Sequence, residues 1–268
     1  MQRHGLDASR ALGQNFVVDP NTVRRIARLA AVGPGDRVVE IGPGLGSLTL
    51  ALVETGASVI AIEVDRFVLP ALEEVLTGTA VKVLHEDARA LDWDEVLDGE
   101  QRCVLVANLP YNIATGLVLD LLRDVPRIER MLVMVQAEVA ERLTAPAGSR
   151  TYGIPSVKLA MWASARIVGR VGPEVFHPRP RVESALVEIR RLDEPAVTAD
   201  PGRFVQVVEK AFNQRRKMLR RSLAGVVEPA AFDAAGLDAS SRPEQLSVAD
   251  WDRLLVAEAR LGTHRPPH

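Results

Sequence analysis

Short, continuous apolar runs alternate along the first half of the chain with segments in which apolar residues recur every three or four positions. Continuous runs are typical of strands buried on both faces, and the second pattern is typical of amphipathic helices. The predicted strands are 37–42, 58–63, 80–85, 102–107 and 130–135. The predicted helices are 20–31, 47–54, 66–76 and 114–122. This alternation predicts an α/β protein whose parallel sheet is covered by helices on both sides.

The pattern changes after Tyr152, where two longer apolar segments follow each other with no helix of clear period between them. We interpret 156–167 and 182–190 as strands that form an antiparallel pair at the edge of the sheet. Residues 193–202 (DEPAVTADPG) are rich in Pro, Asp and Gly, which predicts a domain boundary. A first domain over 1–192 and a second over 193–268 are therefore expected.

The second domain is predicted to be small and entirely helical. Its apolar positions from Phe204 to Leu223 recur at intervals of three or four, so one helix is expected to run through the basic residues of 203–221. Shorter helices are predicted at 229–235 and 248–260.

The composition is that of a globular protein, with 47% hydrophobic and 25% charged residues in a chain of 268. No apolar run approaches the ~20 residues of a bilayer-spanning helix, and the N-terminus lacks the apolar stretch of a secretory signal. The single cysteine, Cys103, excludes a disulfide framework and a cysteine-based zinc site. We therefore expect a cytoplasmic protein with no membrane partner and no metal.

The net charge of −2 hides an uneven distribution. Residues 36–100 carry four basic and fourteen acidic residues, a sum of −10. Residues 142–191 carry nine basic and three acidic, and residues 203–221 carry seven basic and one acidic, a sum of +6 in each case. Such basic stretches indicate either a polyanion partner or an ordinary solvated surface.

A glycine-rich turn follows the first strand of the sheet, at residues 40–46 (EIGPGLG), and Glu63 ends the next strand. Glycines let the backbone approach a ligand closely, and an acid at the end of the second strand can accept hydrogen bonds from ribose hydroxyls. The G-x-G-x-G spacing differs from the G-x-G-x-x-G of dinucleotide binders, and Pro43 removes an amide that a pyrophosphate could use. A nucleoside cofactor without a diphosphate, such as S-adenosylmethionine, is favoured over a ligand-free turn.

The most specific motif is residues 108–112 (NLPYN), at the end of the fourth strand. The Asn108 side chain and the carbonyl of Leu109 or Pro110 could accept the hydrogens of an adenine N6 amino group. Tyr111 could stack on that base. A plain Asn-Pro turn is the competing interpretation, and it is weaker because the same sheet carries the glycine turn.

Together these motifs resemble the KsgA (RsmA) family of small-subunit ribosomal RNA adenine dimethyltransferases, over nearly the whole chain. Besides 40–46, Glu63 and 108–112, the matching segments are 12–16 (LGQNF), 86–88 (EDA), 175–185 (VFHPRPRVESA) and 212–220 (FNQRRKMLR). The resemblance implies a Rossmann-like class I S-adenosylmethionine-dependent methyltransferase sheet with a small C-terminal all-α domain. The implied reaction is N6,N6-dimethylation of two adjacent adenosines near the 3′ end of 16S rRNA.

The family's residue roles carry over to matching positions of this chain. Asn15 and the Val17 backbone would contact the methionine part of the donor, Glu63 its ribose and Asp87 its adenine. Tyr111 and Phe176 would stack on the target base, and the polar neighbours of Phe176 predict an exposed loop. The candidate cofactor-binding set is Asn15, Val17, Gly42, Gly44, Glu63, Asp87, Ala88 and Asn108. The candidate catalytic set is Asn108, Leu109, Pro110, Tyr111 and Phe176.

Basic residues of the matching segments would bind RNA phosphates. They are Arg179, Arg181, Arg215, Arg216, Lys217, Arg220 and Arg221. The expected partner is small-subunit rRNA within an immature 30S-type particle, with the protein acting as a monomer and no DNA partner.

Two alternatives stay open at this stage. An Erm-type 23S rRNA adenine N6-methyltransferase shares the glycine turn and an N-[LI]-P-Y segment. A non-catalytic ribosome-assembly factor on the same fold is disfavoured because Glu63, Asn108 and Tyr111 are all present.

Overall fold

A seven-stranded sheet forms the centre of the first of two compact units in this computed structural model, which describes residues 14–97 and 102–263. The strands are β1 Phe16–Val17, β2 Arg37–Ile41, β3 Ser58–Glu63, β4 Lys82–His85, β5 Cys103–Asn108, β6 Ile128–Gln136, β7 Ala163–Val171, β8 Phe176–His177 and β9 Ser184–Arg191. The helices are α1 Pro20–Ala30, α2 Ser47–Val53, α3 Leu69–Val75, α4 Trp93–Val96, α5 Ala114–Asp124, α6 Ala137–Leu143, α7 Ile154–Ala160, α8 Pro201–Phe212, α9 Leu219–Ser222, α10 Pro229–Ala235 and α11 Val248–Thr263. The predicted α/β class is confirmed.

The strand order is β4-β3-β2-β5-β6-β9-β7. Strands β2 to β6 pair in parallel, and β9 is antiparallel to β6. The chain leaves β2 towards β3 and β4 and then returns to place β5 on the other side of β2. Adjacent strands whose connections run in opposite directions leave a crevice at their carboxyl ends, where open α/β sheets bind ligands.

The strands were predictable because they are buried on both faces. In β2, Val38 and Val39 are fully buried, and β5 and β6 contain similar apolar runs. Helix α1 begins where predicted because Asp19 Oδ2 accepts the Thr22 amide at 2.7 Å and Pro20 occupies the first position. Strands β1 and β8 form a separate antiparallel pair, which the sequence pattern did not predict.

The boundary between the units differs from the predicted one. Among the described residues, those up to Ala140 together with Ala165–Arg191 form the first unit, and Glu141–Ser164 joins the described residues after Arg191 in the second. A continuous first domain over 1–192 is therefore corrected, because Tyr152 packs into the apolar cluster of the second unit and its hydroxyl donates to the Leu246 carbonyl at 2.9 Å.

The predicted strand over 156–167 is wrong in its first half. Residues 154–160 form α7, whose Val157 is fully buried with Met161 in the cluster of the second unit. These two residues are four apart, so they share one helical face. The strand begins only at Ala163, and it lies beside β9 at the edge of the sheet.

The helix predicted through the basic residues of 203–221 is interrupted. Helix α8 ends at Phe212, a turn follows, and α9 begins at Leu219. The chain changes direction because the amides of Leu219 and Arg220 donate to the carbonyls of Ser241 and Ala239, at 2.8 and 2.9 Å. Phe204 and Trp251 remain fully buried in the core of this unit.

No helix within residues 14–97 and 102–263 has the length and apolar character needed to cross a membrane. The motif residues Leu12 and Gly13 lie outside the described residues.

Candidate active site

A cavity of about 370 Å³ lies at the carboxyl ends of β2, β3 and β5, within the first unit. This volume is typical of pockets for small ligands. Ten of the predicted site residues line it: Asn15, Gly42, Gly44, Glu63, Asp87, Ala88, Asn108, Leu109, Pro110 and Tyr111. The structure thus brings together the glycine turn, Glu63 of β3 and the turn at residues 108–111 (the NLPY turn), which come from separate parts of the chain.

Gly44 is the point of closest approach between the glycine turn and the N-terminal segment. Its φ of +56° is rarely adopted by residues with a side chain, and a Cβ there would lie 2.7 Å from the Phe16 ring. Gly42 also has a positive φ, +71°. The turn therefore leaves backbone surface open to the cavity that any larger side chain would fill.

Glu63 is held by backbone amides from both sides. Its carboxylate oxygens accept the Gly44 amide at 3.1 Å and the Asp65 amide at 2.9 Å. Burial raises the pKa of Glu63, and these two hydrogen bonds lower it in part. Each carboxylate oxygen keeps a further acceptor site, so the side chain can accept two more hydrogen bonds from a ligand.

Glu40, in β2, is 1% exposed and does not line the cavity. Burial raises its pKa to about 8, and the nearby Glu63 carboxylate adds to the shift. A pKa of about 8 keeps Glu40 mostly protonated at neutral pH.

Asp87 and Arg89 form an ion pair at the cavity wall. The guanidinium donates to both Asp87 oxygens, at 3.1 and 2.7 Å, and the Arg89 amide donates to Oδ1 at 3.0 Å. The Arg89 hydrogen bond holds the pKa of Asp87 below its ordinary value. Asp87 is thus a charged acceptor, and Arg89 places a cation beside it that the sequence analysis did not single out.

Asn108 is oriented by the N-terminal segment. Its Nδ2 donates to the Asn15 carbonyl at 2.8 Å. This bond assigns the amide orientation and leaves Oδ1 as an acceptor without a hydrogen bond among the described residues. Asn108 therefore presents an oxygen at the end of β5.

The two candidate carbonyls of the NLPY turn differ in availability. The Pro110 carbonyl accepts the amides of Ile113 and Ala114, at 3.2 and 3.1 Å, at the start of α5. The Leu109 carbonyl accepts no hydrogen bond from the described residues, and Leu109 lines the cavity. The Leu109 carbonyl is therefore the stronger candidate acceptor.

Tyr111 presents its ring to the cavity and its hydroxyl to the sheet. The phenolic oxygen lies 2.7 Å from Ser184 Oγ in β9, and burial raises the pKa of the phenol. The tyrosine is half-buried, so its ring is held without being fully enclosed.

Phe176 and Val17 do not line the cavity. They pair across β8 and β1 and belong to the apolar core, at 4% and 8% exposure. The prediction that the polar neighbours of Phe176 mark an exposed loop is therefore wrong for Phe176 itself, although His177 and Arg179 beside it are exposed. Pairing with β1 turns Phe176 inward, and this pair is too short and distant in sequence to leave a local pattern.

Gln14 and Phe16 are cavity-lining residues that sequence reasoning missed, and Asp65 is the hydrogen-bond partner of Gln14. Gln14 Nε2 donates to Asp65 Oδ2 at 2.8 Å, and Asp65 is 8% exposed. The Phe16 ring lies against Gly44, and both Gln14 and Phe16 line the cavity. The signal available was the LGQNF segment itself, whose residues have side chains suited to such contacts.

The predicted RNA-binding residues fall into two groups. Arg215 is tied into its own unit, because it donates to the Arg150 carbonyl at 2.9 Å and lies 3.7 Å from a Glu244 oxygen. The other six are exposed and make no ion pair within residues 14–97 and 102–263: Arg179, Arg181, Arg216, Lys217, Arg220 and Arg221. They are available to a polyanion.

The described residues contain no group of three His, Cys, Asp or Glu side chains that could hold a metal ion. Cys103 is buried in β5, and burial raises the pKa of its thiol to about 12. The thiol is therefore not a nucleophile at neutral pH.

Comparison with known sequences places these features in one family. The sequence model of the ribosomal RNA adenine dimethylase family matches residues 5–257. The chain is 48% identical to the ribosomal RNA small subunit methyltransferase A of Kineococcus radiotolerans, over 98% of this chain and 88% of that protein. It is 47% identical to the protein of the same name from Thermobifida fusca, over 98% of this chain and 92% of that protein.

Solved structures share the architecture. The 23S rRNA methyltransferase ErmE superposes with a TM-score of 0.70 at 26% identity, over 91% of this chain and 99% of that chain. A dimethyladenosine transferase from Plasmodium falciparum superposes with a TM-score of 0.80 at 21% identity, over 92% and 98%. The predicted Rossmann-like class I methyltransferase sheet is thereby confirmed.

Proposed function

Because the chain belongs to the ribosomal RNA adenine dimethylase family, we propose that it transfers methyl groups from S-adenosylmethionine to N6 of two adjacent adenosines near the 3′ end of 16S rRNA. The product is N6,N6-dimethyladenosine. The observation that carries the proposal is the cavity at the ends of β2, β3 and β5, which joins a nucleoside-type site to the acceptors of the NLPY turn.

The part of the cavity beside the glycine turn and β3, where the methyl donor would bind, has the groups that a nucleoside needs. Gly42 and Gly44 leave backbone surface uncovered, and the Glu63 carboxylate keeps two acceptor sites for ribose hydroxyls. Asp87 is a charged acceptor suited to an adenine amino group. Bound S-adenosylmethionine supplies an electrophilic methyl group. Asn15 and Ala88 complete the wall around it.

The acceptor half can hold an adenine amino group in the reactive orientation. The N6 nitrogen is a weak nucleophile because its lone pair is delocalised into the ring. Asn108 Oδ1 and the Leu109 carbonyl can each accept one N6 hydrogen, which favours a pyramidal nitrogen with an available lone pair. Tyr111 can stack on the base and exclude water. Fixing the nucleophile in this way supplies much of the rate gain, so no strong base is needed.

The small-subunit substrate is favoured over the large-subunit one by the closer relatives. Proteins at 47–48% identity are named for the small subunit, whereas the 23S enzyme ErmE is 26% identical. The two reactions use the same chemistry, so the fold alone does not separate them.

The exposed cations would bind the rRNA phosphates. Arg216, Lys217, Arg220 and Arg221 lie together in sequence on the second unit, and Arg179 and Arg181 follow β8 on the first. We assign donor binding and methyl transfer to the first unit, to which Arg179 and Arg181 add RNA contacts, and we assign the larger part of RNA binding to the second unit. The partner would be an immature small subunit in the cytoplasm, bound by a monomer of the protein.

The experiment that tests the proposal is transfer of radiolabelled methyl groups from S-adenosylmethionine to purified ribosomal particles. Undermethylated small subunits should accept up to four methyl groups each, two on each of two adenosines, and large subunits should accept none. Labelling of large subunits instead would establish the 23S reaction and refute the proposal.

A further inference from the structure

A buried hydroxyl supports the Tyr111 ring from behind. Ser184 Oγ lies 2.7 Å from the phenolic oxygen, and Ser184 is fully buried at the first position of β9. Ser184 does not line the cavity, so it cannot touch a base held there. We propose that Ser184 is a positioning residue that fixes the Tyr111 ring for stacking on the target base; this inference rests on the proposed function.

The serine is held by the sheet rather than by a loop. Ser184 lies opposite Gln136, the last residue of β6, in the β6–β9 ladder. The residue after Gln136, Ala137, donates its amide to the Glu183 carbonyl at 2.9 Å. Two elements therefore fix the position of the hydroxyl. A partner on paired strands is more precise than one on a loop.

The tyrosine is held at both ends as a result. Its backbone belongs to the turn between β5 and α5, and its hydroxyl is bonded to β9, 73 residues away in sequence. An aromatic side chain has two rotatable bonds, and anchoring both ends removes most of its freedom. The ring therefore loses its conformational entropy when the protein folds, and binding of the base does not have to order it.

A double-mutant cycle tests the pair: Ser184→Ala, Tyr111→Phe and both together. Each single variant removes the same hydrogen bond and keeps the ring, so each should lower kcat on undermethylated small subunits about tenfold. The double variant should be no slower than the slower single variant. Ser222→Ala is the matched control, because Ser222 is equally buried but lies in α9 of the other unit.

The affinity of the methyl-donor site should not change in these variants. The affinity for S-adenosylhomocysteine, measured by calorimetry, should stay within twofold in all variants because Ser184 and the phenolic oxygen bind no donor atom. A loss of kcat without a loss of donor affinity distinguishes ring placement from general damage to the fold.

Fluorine NMR tests the position of the Tyr111 ring without relying on methyl transfer. The chain has only two tyrosines, so fluorotyrosine labelling gives two ¹⁹F resonances, and Tyr111→Phe assigns them. In Ser184→Ala the Tyr111 resonance should shift or broaden while that of Tyr152 stays in place. An unchanged Tyr111 resonance overturns the inference, as does a double variant whose loss equals the product of the single losses.

The two proposals fail in different ways. If even the wild-type protein leaves small subunits unmethylated, the proposed function fails. The fluorine spectra then show by themselves whether Ser184 holds the ring.

Discussion

The residues around the cavity differ from the exposed basic residues Arg216, Lys217, Arg220 and Arg221 in how firmly the protein holds them. Glu63 is 4% exposed and accepts two backbone amides, Asn108 is bonded to Asn15, and Tyr111 is bonded to Ser184. Arg216 and Lys217, by contrast, lie exposed in a turn and form no ion pair within the described ranges.

The difference follows from what each region has to do. Methyl transfer requires reacting atoms to be placed within a fraction of an ångström, which only buried and bonded groups achieve. Attraction of phosphates acts over a Debye length, about 8 Å at physiological salt, so exposed cations without a fixed partner are sufficient for it. Changes at the cavity should therefore alter the rate of transfer, and changes in 213–221 should alter binding to the particle.

The sharpest test of this division is Asn108→Ala. Removing Oδ1 removes one of two acceptors for the N6 hydrogens, so methyl transfer should fall about 10²- to 10³-fold. Binding to small subunits, measured by sedimentation at fixed salt, should stay within twofold. Full activity in this variant would exclude the proposed mechanism.

Gly44→Ala should have the next largest effect, on donor affinity. The new Cβ would lie 2.7 Å from the Phe16 ring, so the N-terminal segment must move away from the cavity. The Kd for S-adenosylhomocysteine should rise about 10- to 100-fold by calorimetry. Gly78→Ala is the matched control: its φ of +83° carries similar backbone strain, but nothing lies within 4 Å of the new Cβ. Equal loss of affinity in both variants would show that strain alone is responsible.

Charge reversal in the basic segment should act on binding alone. Arg216→Glu should weaken binding to small subunits about three- to tenfold and flatten the dependence of the affinity on salt. Lys82→Glu makes the same change of charge at an exposed residue of the acidic half and should leave both quantities unchanged. If the two variants behave alike, net charge rather than a local RNA contact determines binding.

Glu40→Gln should produce the smallest change, in stability and its pH dependence. The folded pKa of about 8 lies above the ordinary value of 4.5, so the folded state keeps this proton between the two values while the unfolded state loses it. Wild-type stability is therefore full below about pH 4.5 and declines up to about pH 8. The variant should raise the free energy of unfolding by about 1–3 kcal/mol at pH 8.5 and by little at pH 5, measured by urea denaturation. A difference independent of pH would show that Glu40 is ionised in the folded protein.

The parallel sheet could be predicted from the sequence because its strands are buried on both faces and appear as continuous apolar runs. The glycine turn and the NLPY turn could be predicted to meet because both follow parallel strands, whose carboxyl ends share one edge. The local pattern wrongly predicts a strand at α7, because the apolar face of this helix packs in the second unit and a local pattern does not reveal that.

The hydrogen bonds that complete the site could not be predicted in this way. Gln14–Asp65, Tyr111–Ser184 and Asn108–Asn15 join residues that are 51, 73 and 93 positions apart. The inward turn of Phe176 depends likewise on its pairing with Val17. Such contacts depend on how the elements pack, so they cannot be predicted from composition or from the spacing of residues along the chain.

The most direct test of the central claim is a primer-extension map of rRNA from cells that lack this protein, complemented with the wild-type chain or with Asn108→Ala. The wild-type chain should restore stops at two adjacent adenosines near the 3′ end of 16S rRNA, whereas Asn108→Ala should restore neither. Stops in 23S rRNA, or restoration by Asn108→Ala, would contradict the central claim.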